Sequence, residues 1–336
     1  MNASFLQRLL IPATENFSPT FAAARKVLRS LPTQNGFHGK GKPMTTFSRP
    51  LMVMVMILCF VFAMPPVSSG TSIVFSASGA NAAAIQSTVD AFRSALGGVN
   101  NGNAAGPLAT GFREINWDGG GATNGTTAVT PFTVFQNTRG STFTTPGSGL
   151  TQTPITGGTV DIIPGGGLQG SLADINPTYA TTFATFSPLR LFTPIGSNIT
   201  DGTFSLPGTG GAVPATVSGF GVVFTDVDLA NTTSIQYFDA SNTSLETFFA
   251  PSRAGDATFS FLGVAFTTEG IARVRITTGN SALGPTDGSA FGAVDVVAMD
   301  NFIYSEPHAA VPEPATLLLF GSGLAGLAAW RRKKAV

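Results

Sequence analysis

From residue 217 to 305 the chain is a succession of short apolar runs: "VSGFGVVFTDVD", "SIQYFD", "SLETFF", "TFSFLGVAF", "IARVRITT", "AVDVVAM" and "NFIYSE". Gly, Asn, Asp and Ser separate them. This spacing constrains the fold more than any other feature. Short alternating runs with turn residues every 8–12 residues or so fit the strands of a β-sandwich. In "ARVRI", Arg273 and Arg275 share one face and Ala272, Val274 and Ile276 the other, which is the pattern of a half-buried strand. "DASNTS" reads as the turn between "SIQYF" and "LETFF".

Upstream, "SIVFS", "REINW", "PFTVF" and "TVDII" are further strand candidates. Residues 100–215 are richer in Gly and Pro, as in "DGGGATNGTT" and "IIPGGGLQGS". They read either as long loops and extra strands of the same sandwich or as a loosely packed second one. One helix is expected, in "NAAAIQSTVDAFRSALGG". There Ile85, Val89, Phe92 and Leu96 fall on one face, with Asn81 as N-cap and Gly97 as the stop. No internal repeat is apparent.

Charge divides the chain. Between residues 70 and 310 there are 7 arginines, no lysine and 16 acids, a net of −9. The cations that bring the whole chain to zero sit at its two ends. An acidic body argues against nucleic acid as a partner. The single cysteine, Cys59, lies in an apolar run, and the histidines, His38 and His308, lie outside the expected folded region. Disulfides, Cys- or His-ligated zinc and Ser-His-Asp chemistry are therefore not expected within 70–305.

The two ends are membrane-directed. "LMVMVMILCFVFA", from Leu51 to Ala63, suits the apolar core of a secretory signal, with Arg49 as its positive flank. Cleavage is expected between Ser69 and Gly70. Residues 1–43 are awkward ahead of such a signal, so Met44 is the expected start, with a transit-like leader as the alternative. Leu58 and Met56 do not make the small-residue box that a lipidated Cys59 would need. At the other end, Ala315 to Trp330 is uncharged. As a helix it would reach about 24 Å, close to a hydrocarbon core of about 30 Å. Trp330 suits the interface, and Arg331, Arg332, Lys333 and Lys334 hold the terminus on the cytoplasmic side. "GSGLAG" meets the spacing of a dinucleotide loop, but it lies at the chain end with no βαβ unit to follow.

Val311-Pro312-Glu313-Pro314, the apolar glycine-containing segment and the basic end together resemble the PEP-CTERM sorting tails of Gram-negative bacteria. The resemblance covers about 26 residues, with Pro312, Glu313 and Pro314 as the matching positions. It implies recognition by an exosortase-type membrane enzyme, removal of the tail, and delivery to the cell surface or exopolysaccharide matrix. Physically, the two prolines keep their segment extended and out of the helix. Residues 217–305 resemble, by pattern, the jelly-roll modules of secreted bacterial proteins. The expected fold is thus mainly β: a jelly-roll-like β-sandwich with one short N-terminal helix, plus a C-terminal transmembrane helix. The expected order is a doubtful leader (1–43), a signal peptide (44–69), the body (70–305), a linker (306–310) and the sorting tail (311–336).

Candidate chemistry is sparse. "FTDVDLAN" puts Asp226 and Asp228 on one face of a strand end with Asn231 nearby, and Asp239, Asp256, Asp287, Asp295 and Asp300 add oxygen donors elsewhere. This suits a structural calcium site, the one cofactor the sequence raises. The plainer reading is that these residues cap turns. No EF-hand is present, because Ala230 and Asn231 occupy positions that loop reserves for a ligand and a glycine. Glu114, Glu246 and Glu269 could supply a glycosidase pair only by coincidence of placement. Trp117 could stack on a sugar or fill the core. Asn124, Asn198, Asn231 and Asn242 open Asn-x-Ser/Thr sequons. The expectation is a non-enzymatic surface or matrix protein with polysaccharide as its candidate ligand. A carboxylate-based glycan hydrolase or lyase and a permanently anchored membrane protein are the alternatives.

Overall fold

The computed structural model describes residues 71–119, 125–267, 270–288, 293–310, 321–324 and 326. The first stretch holds β1 (Ser72–Gly79), α1 (Ala82–Ala95), β2 (Phe112–Ile115), α2 (Gln136–Arg139), β3 (Ser141–Thr144) and β4 (Gly149–Pro154). Then come α3 (Leu172–Ile175), α4 (Tyr179–Thr182), β5 (Arg190–Ile195), β6 (Ile199–Phe204) and β7 (Ala215–Thr216). The chain continues through β8 (Gly219–Thr225), β9 (Ser234–Phe238), β10 (Ser244–Phe249), β11 (Phe259–Phe266), β12 (Arg273–Thr277), β13 (Ala298–Ser305) and β14 (His308–Ala309).

Two antiparallel sheets share one apolar core. The first runs β1-β11-β8-β13-β5-β4, with β2 also paired to β13; the second runs β10-β9-β12-β6-β3. From β5 to β13 the chain passes between the sheets at almost every connection, staying in one sheet only at the β9–β10 hairpin. The Asp239 carboxylate closes that hairpin by accepting from the Ser241 and Thr243 N–H groups. Alternation decides which side chains meet. Phe220, Val222 and Phe224 of β8 point into the core with Leu262 and Val264 of β11, facing Ile235 and Tyr237 of β9 and Val274 and Ile276 of β12. β3 to β6 join these same sheets, so residues 100–215 extend the sandwich and do not build a second one.

"GFGVVF" and "FLGVAF" lack clean alternation because their strands are covered on both sides. Helix α1 lies on the outer face, packing Ile85, Val89 and Phe92 against Val223, Phe261 and Ile303. The Asn81 side chain caps it by accepting from the Ala84 N–H. The approach is close only because β8 and β11 carry glycines where the Phe92 ring sits. A Cβ at Gly221 would fall 2.8 Å from the Gly263 Cα and 2.9 Å from a Phe92 ring carbon. A second outer cluster, with Leu172 of α3, Tyr179 of α4 and Phe183 just after it, packs on Leu191 and Ala298.

Several expectations need correction. "PFTVF" and "TVDII" form no strand: Phe132 makes an isolated bridge to Phe143, and residues 159–163 are irregular backbone whose Ile162 plugs the core. Residues 306–310 are not a free linker. Glu306 is buried, and β14 pairs with β7, which also places His308 in the fold, on its exposed surface. Among the described residues no helix is long and apolar enough to cross a membrane. Of the expected C-terminal transmembrane helix, only residues 321–324 and 326 are described, as helix.

Gly221→Val should press on both Gly263 and Phe92 and lower stability by about 1–3 kcal/mol, the usual cost of overpacking. Urea unfolding followed by circular dichroism checks this.

Candidate metal centre and sorting motif

One end of the sandwich is acidic because three loops converge there. The β8–β9 connection brings Asp226 and Asp228, the β10–β11 connection brings Asp256, and the long β12–β13 connection brings Asp287 and Asp295. Asp226, Asp228 and Asp287 each offer a carboxylate oxygen, and these oxygens lie within 4.8 Å of one another. Asp226 is 0% exposed, stands at φ +69° where β8 ends, and has no hydrogen-bond partner on either carboxylate oxygen. Burial first, then the charges of Asp287, Asp228, Asp256 and Asp295, push its pKa up to about 9. Asp287 is pushed up to about 6, chiefly by burial, against the opposing hydrogen bond from the Val296 N–H.

The neighbours are held in place. The Gly255 N–H donates to Asp228 Oδ1 at 2.9 Å, and the Val296 N–H donates to Asp287 Oδ1 at 3.0 Å. Asp295 accepts from the Asp228 N–H at 3.1 Å and from the Thr232 hydroxyl. Among the described residues no ion pair involves any of these five acids. Asn231 is not drawn into the group. It is exposed at φ +65° in the turn after Ala230, and Asp287, from the β12–β13 connection, completes the cluster instead.

The remaining acids are engaged elsewhere. Asp239 closes the hairpin already described. Asp300 is buried at a bulge of β13, where its Oδ2 accepts from the Phe186 and Ser187 N–H groups at 2.6 and 3.2 Å. Burial holds its pKa well above the usual range, with those bonds opposing. Glu114 pairs with Arg93, and exposed Glu246 accepts from the Ser72 hydroxyl. Glu269 and Asn124 lie outside the described residues. Of the other sequons, Asn242 is exposed in the hairpin, and the Asn198 side chain donates to the Gly279 carbonyl.

Trp117 is a core residue. It is 0% exposed, stacks on Phe192 at 3.7 Å, meets the Phe302 edge at 4.9 Å, and donates from Nε1 to the Asp300 carbonyl at 2.8 Å. No face is left for a sugar. A surface groove of about 490 Å³ runs past Leu96, Thr110, Thr216, Phe266 and His308. Among the described residues its one carboxylate, Glu306, is locked to Arg113 by bonds of 2.8 and 2.7 Å. The other Arg113 donors reach the Gly102, Ala104 and Thr138 carbonyls, so this buried cation is fully satisfied. Burial alone would raise Glu306, but the bonds from Arg113, Asn101 and the Leu108 N–H outweigh it and hold its pKa below the ordinary value.

The fold and its acidic end thus define a β-sandwich whose carboxylates are mostly tied into structure. The class of protein is given by the tail. Residues 310–333 match the PEP-CTERM protein-sorting motif, and the chain carries the mark of an exosortase substrate, exported across the membrane. No curated protein and no solved structure matches the chain. Pro312, Glu313, Pro314, Trp330, Arg331, Arg332, Lys333 and Lys334 fall within or beside the matched stretch but outside the described residues, as do Ser69, Gly70 and the expected signal peptide.

Arg113→Met would leave the Glu306 carboxylate buried without its partner. It should cost about 3–5 kcal/mol in urea unfolding at pH 7. In the metal-free protein, folded Asp226 keeps its proton to about pH 9, while in the unfolded chain it ionises near 4. Its contribution to stability is therefore full below about pH 4 and falls as pH rises toward about 9. Asp226→Asn should flatten that decline, measured as the urea midpoint between pH 5 and pH 8.5 in chelator.

Proposed function

We propose that this chain is delivered through its PEP-CTERM tail to the cell surface or exopolysaccharide matrix, where the body serves a non-enzymatic structural or glycan-binding role. The sorting motif at 310–333 carries this reading. Its last three residues, with Lys334 just beyond, are consecutive cations, which favour a stop at the cytoplasmic face. The acidic, lysine-free body then lies outside until the exosortase-type enzyme acts.

The strand order supports a more specific reading of the body. The orders β5-β13-β8-β11 in one sheet and β6-β12-β9-β10 in the other support a jelly-roll reading with two Greek keys, an architecture used by lectins. A sandwich with a well-packed core and one outer face covered by α1 suits a passive matrix component. The alternative hydrolase would need two carboxylates reaching one glycosidic bond. Asp287 has the raised pKa of an acid, but its raised neighbour Asp226 is fully buried and has no route to a sugar.

Fractionation of the native host with N- and C-terminal peptide mapping tests the reading. The expected mature protein is extracellular, begins at Gly70 and ends near Pro312–Pro314. A mature C-terminus at Val336 in the membrane fraction would instead establish permanent anchoring.

A further inference from the structure

Asp226 is hard to account for as a packing residue. Its side chain is 0% exposed and neither carboxylate oxygen has a partner. A buried carboxylate in that position is costly whether ionised or protonated, since the protonated form also needs an acceptor for its hydroxyl. What lies around it is more negative charge: Asp228 and Asp287 bring their oxygens to within 4.8 Å. Such an arrangement is stable when a cation sits between the three.

We propose that Asp226, Asp228 and Asp287 form a calcium site that clasps the loops at one end of the sandwich. The donors are all carboxylate oxygens, a set that selects hard cations and disfavours zinc or copper. Calcium, with bonds of about 2.3–2.6 Å and flexible geometry, bridges oxygens at this separation and fills its remaining positions with water and carbonyls. The supporting bonds are in place. Asp228 and Asp287 each take one backbone N–H on Oδ1, which orients both carboxylates. Asp295 holds the backbone at Asp228. An ion there ties the β8–β9 connection to the β12–β13 connection directly, and to the β10–β11 connection through Gly255. The site goes beyond the sorting role and stands on the geometry alone, so binding by the purified protein is independent of where the protein is delivered.

The test uses the purified full chain, stripped with chelator and then given CaCl2 or MgCl2. For an affinity on the order of 10⁻⁴ M, typical of extracellular calcium modules, 10 mM calcium should raise the Tm by about 5–10 °C. Calorimetric titration should give one site per chain, and magnesium should give at most a third or so of the shift. Asp226→Asn should lose the calcium response while keeping the fold in chelator. Should that variant fail to fold, Asp287→Asn, at a half-buried position, gives the same readout. A wild-type Tm within about 1 °C in calcium and in chelator overturns the proposal. So does a calcium response that survives the loss of Asp226 or Asp287, or an equal response to magnesium.

Discussion

The contact between the inner faces of the two sheets sets the rest of this structure. Its densest part is the aromatic group around Trp117, where Phe192 stacks on the indole and Phe143 and Phe302 meet its edges. These rings come from β3, β5, β13 and the segment after β2, so one cluster binds elements that are far apart in sequence. Rings of this size bury much surface for few rotatable bonds, which lowers the entropy lost per unit area. The indole N–H bond to the Asp300 carbonyl also falls where β13 bulges, so core packing and the irregularity of that strand are a single feature.

The outer surface of the larger sheet follows from this. With the even side chains of β8 and β11 inside, their odd ones face outward beside Ile303 of β13, and α1 covers them. Glycine at 221 and 263 is what lets Phe92 settle on the sheet. The buried Arg113–Glu306 pair plays a related part at the other edge. It fastens the strand after the first loop to the segment just beyond β13, with every guanidinium nitrogen used. A buried ion pair contributes little net stability over an apolar substitute, but it tolerates few alternative arrangements. Its effect here is to hold residue 306 against β2.

Charge is distributed with opposite logic at the two ends of the molecule's life. The tail ends in a run of cations, and the body concentrates acids where three loops meet. Most acids in the body are compensated locally, by Arg93, Arg113, Arg273 and Arg275 or by backbone N–H groups. The group around Asp226 has backbone N–H donors to Asp228, Asp287 and Asp295 but no ion pair among the described residues, and Asp226 itself has no partner. That contrast, not the number of acids, distinguishes it.

The sequence by itself determined the things that depend on near neighbours. The α1 periodicity with its Asn81 cap, the hairpin at "DASNTS", the faces of Arg273 and Arg275, and the sorting motif are all set within one or two turns of chain. The β-rich class was equally legible, because alternation and turn residues are local. The tertiary structure decided what depends on distant pairings. "TVDII" has strand composition but forms no ladder, its Ile162 exchanging single backbone bonds with Ala128 and Gln169, and residues 306–310 look like a linker until Arg113, nearly 200 positions earlier, is seen to hold Glu306. Asn231 sits beside Asp228 in sequence yet turns to solvent, while Asp287 arrives from another loop. Ligand sets assembled from several loops leave no spacing to read, since only the closure of the two sheets brings those loops to the same end.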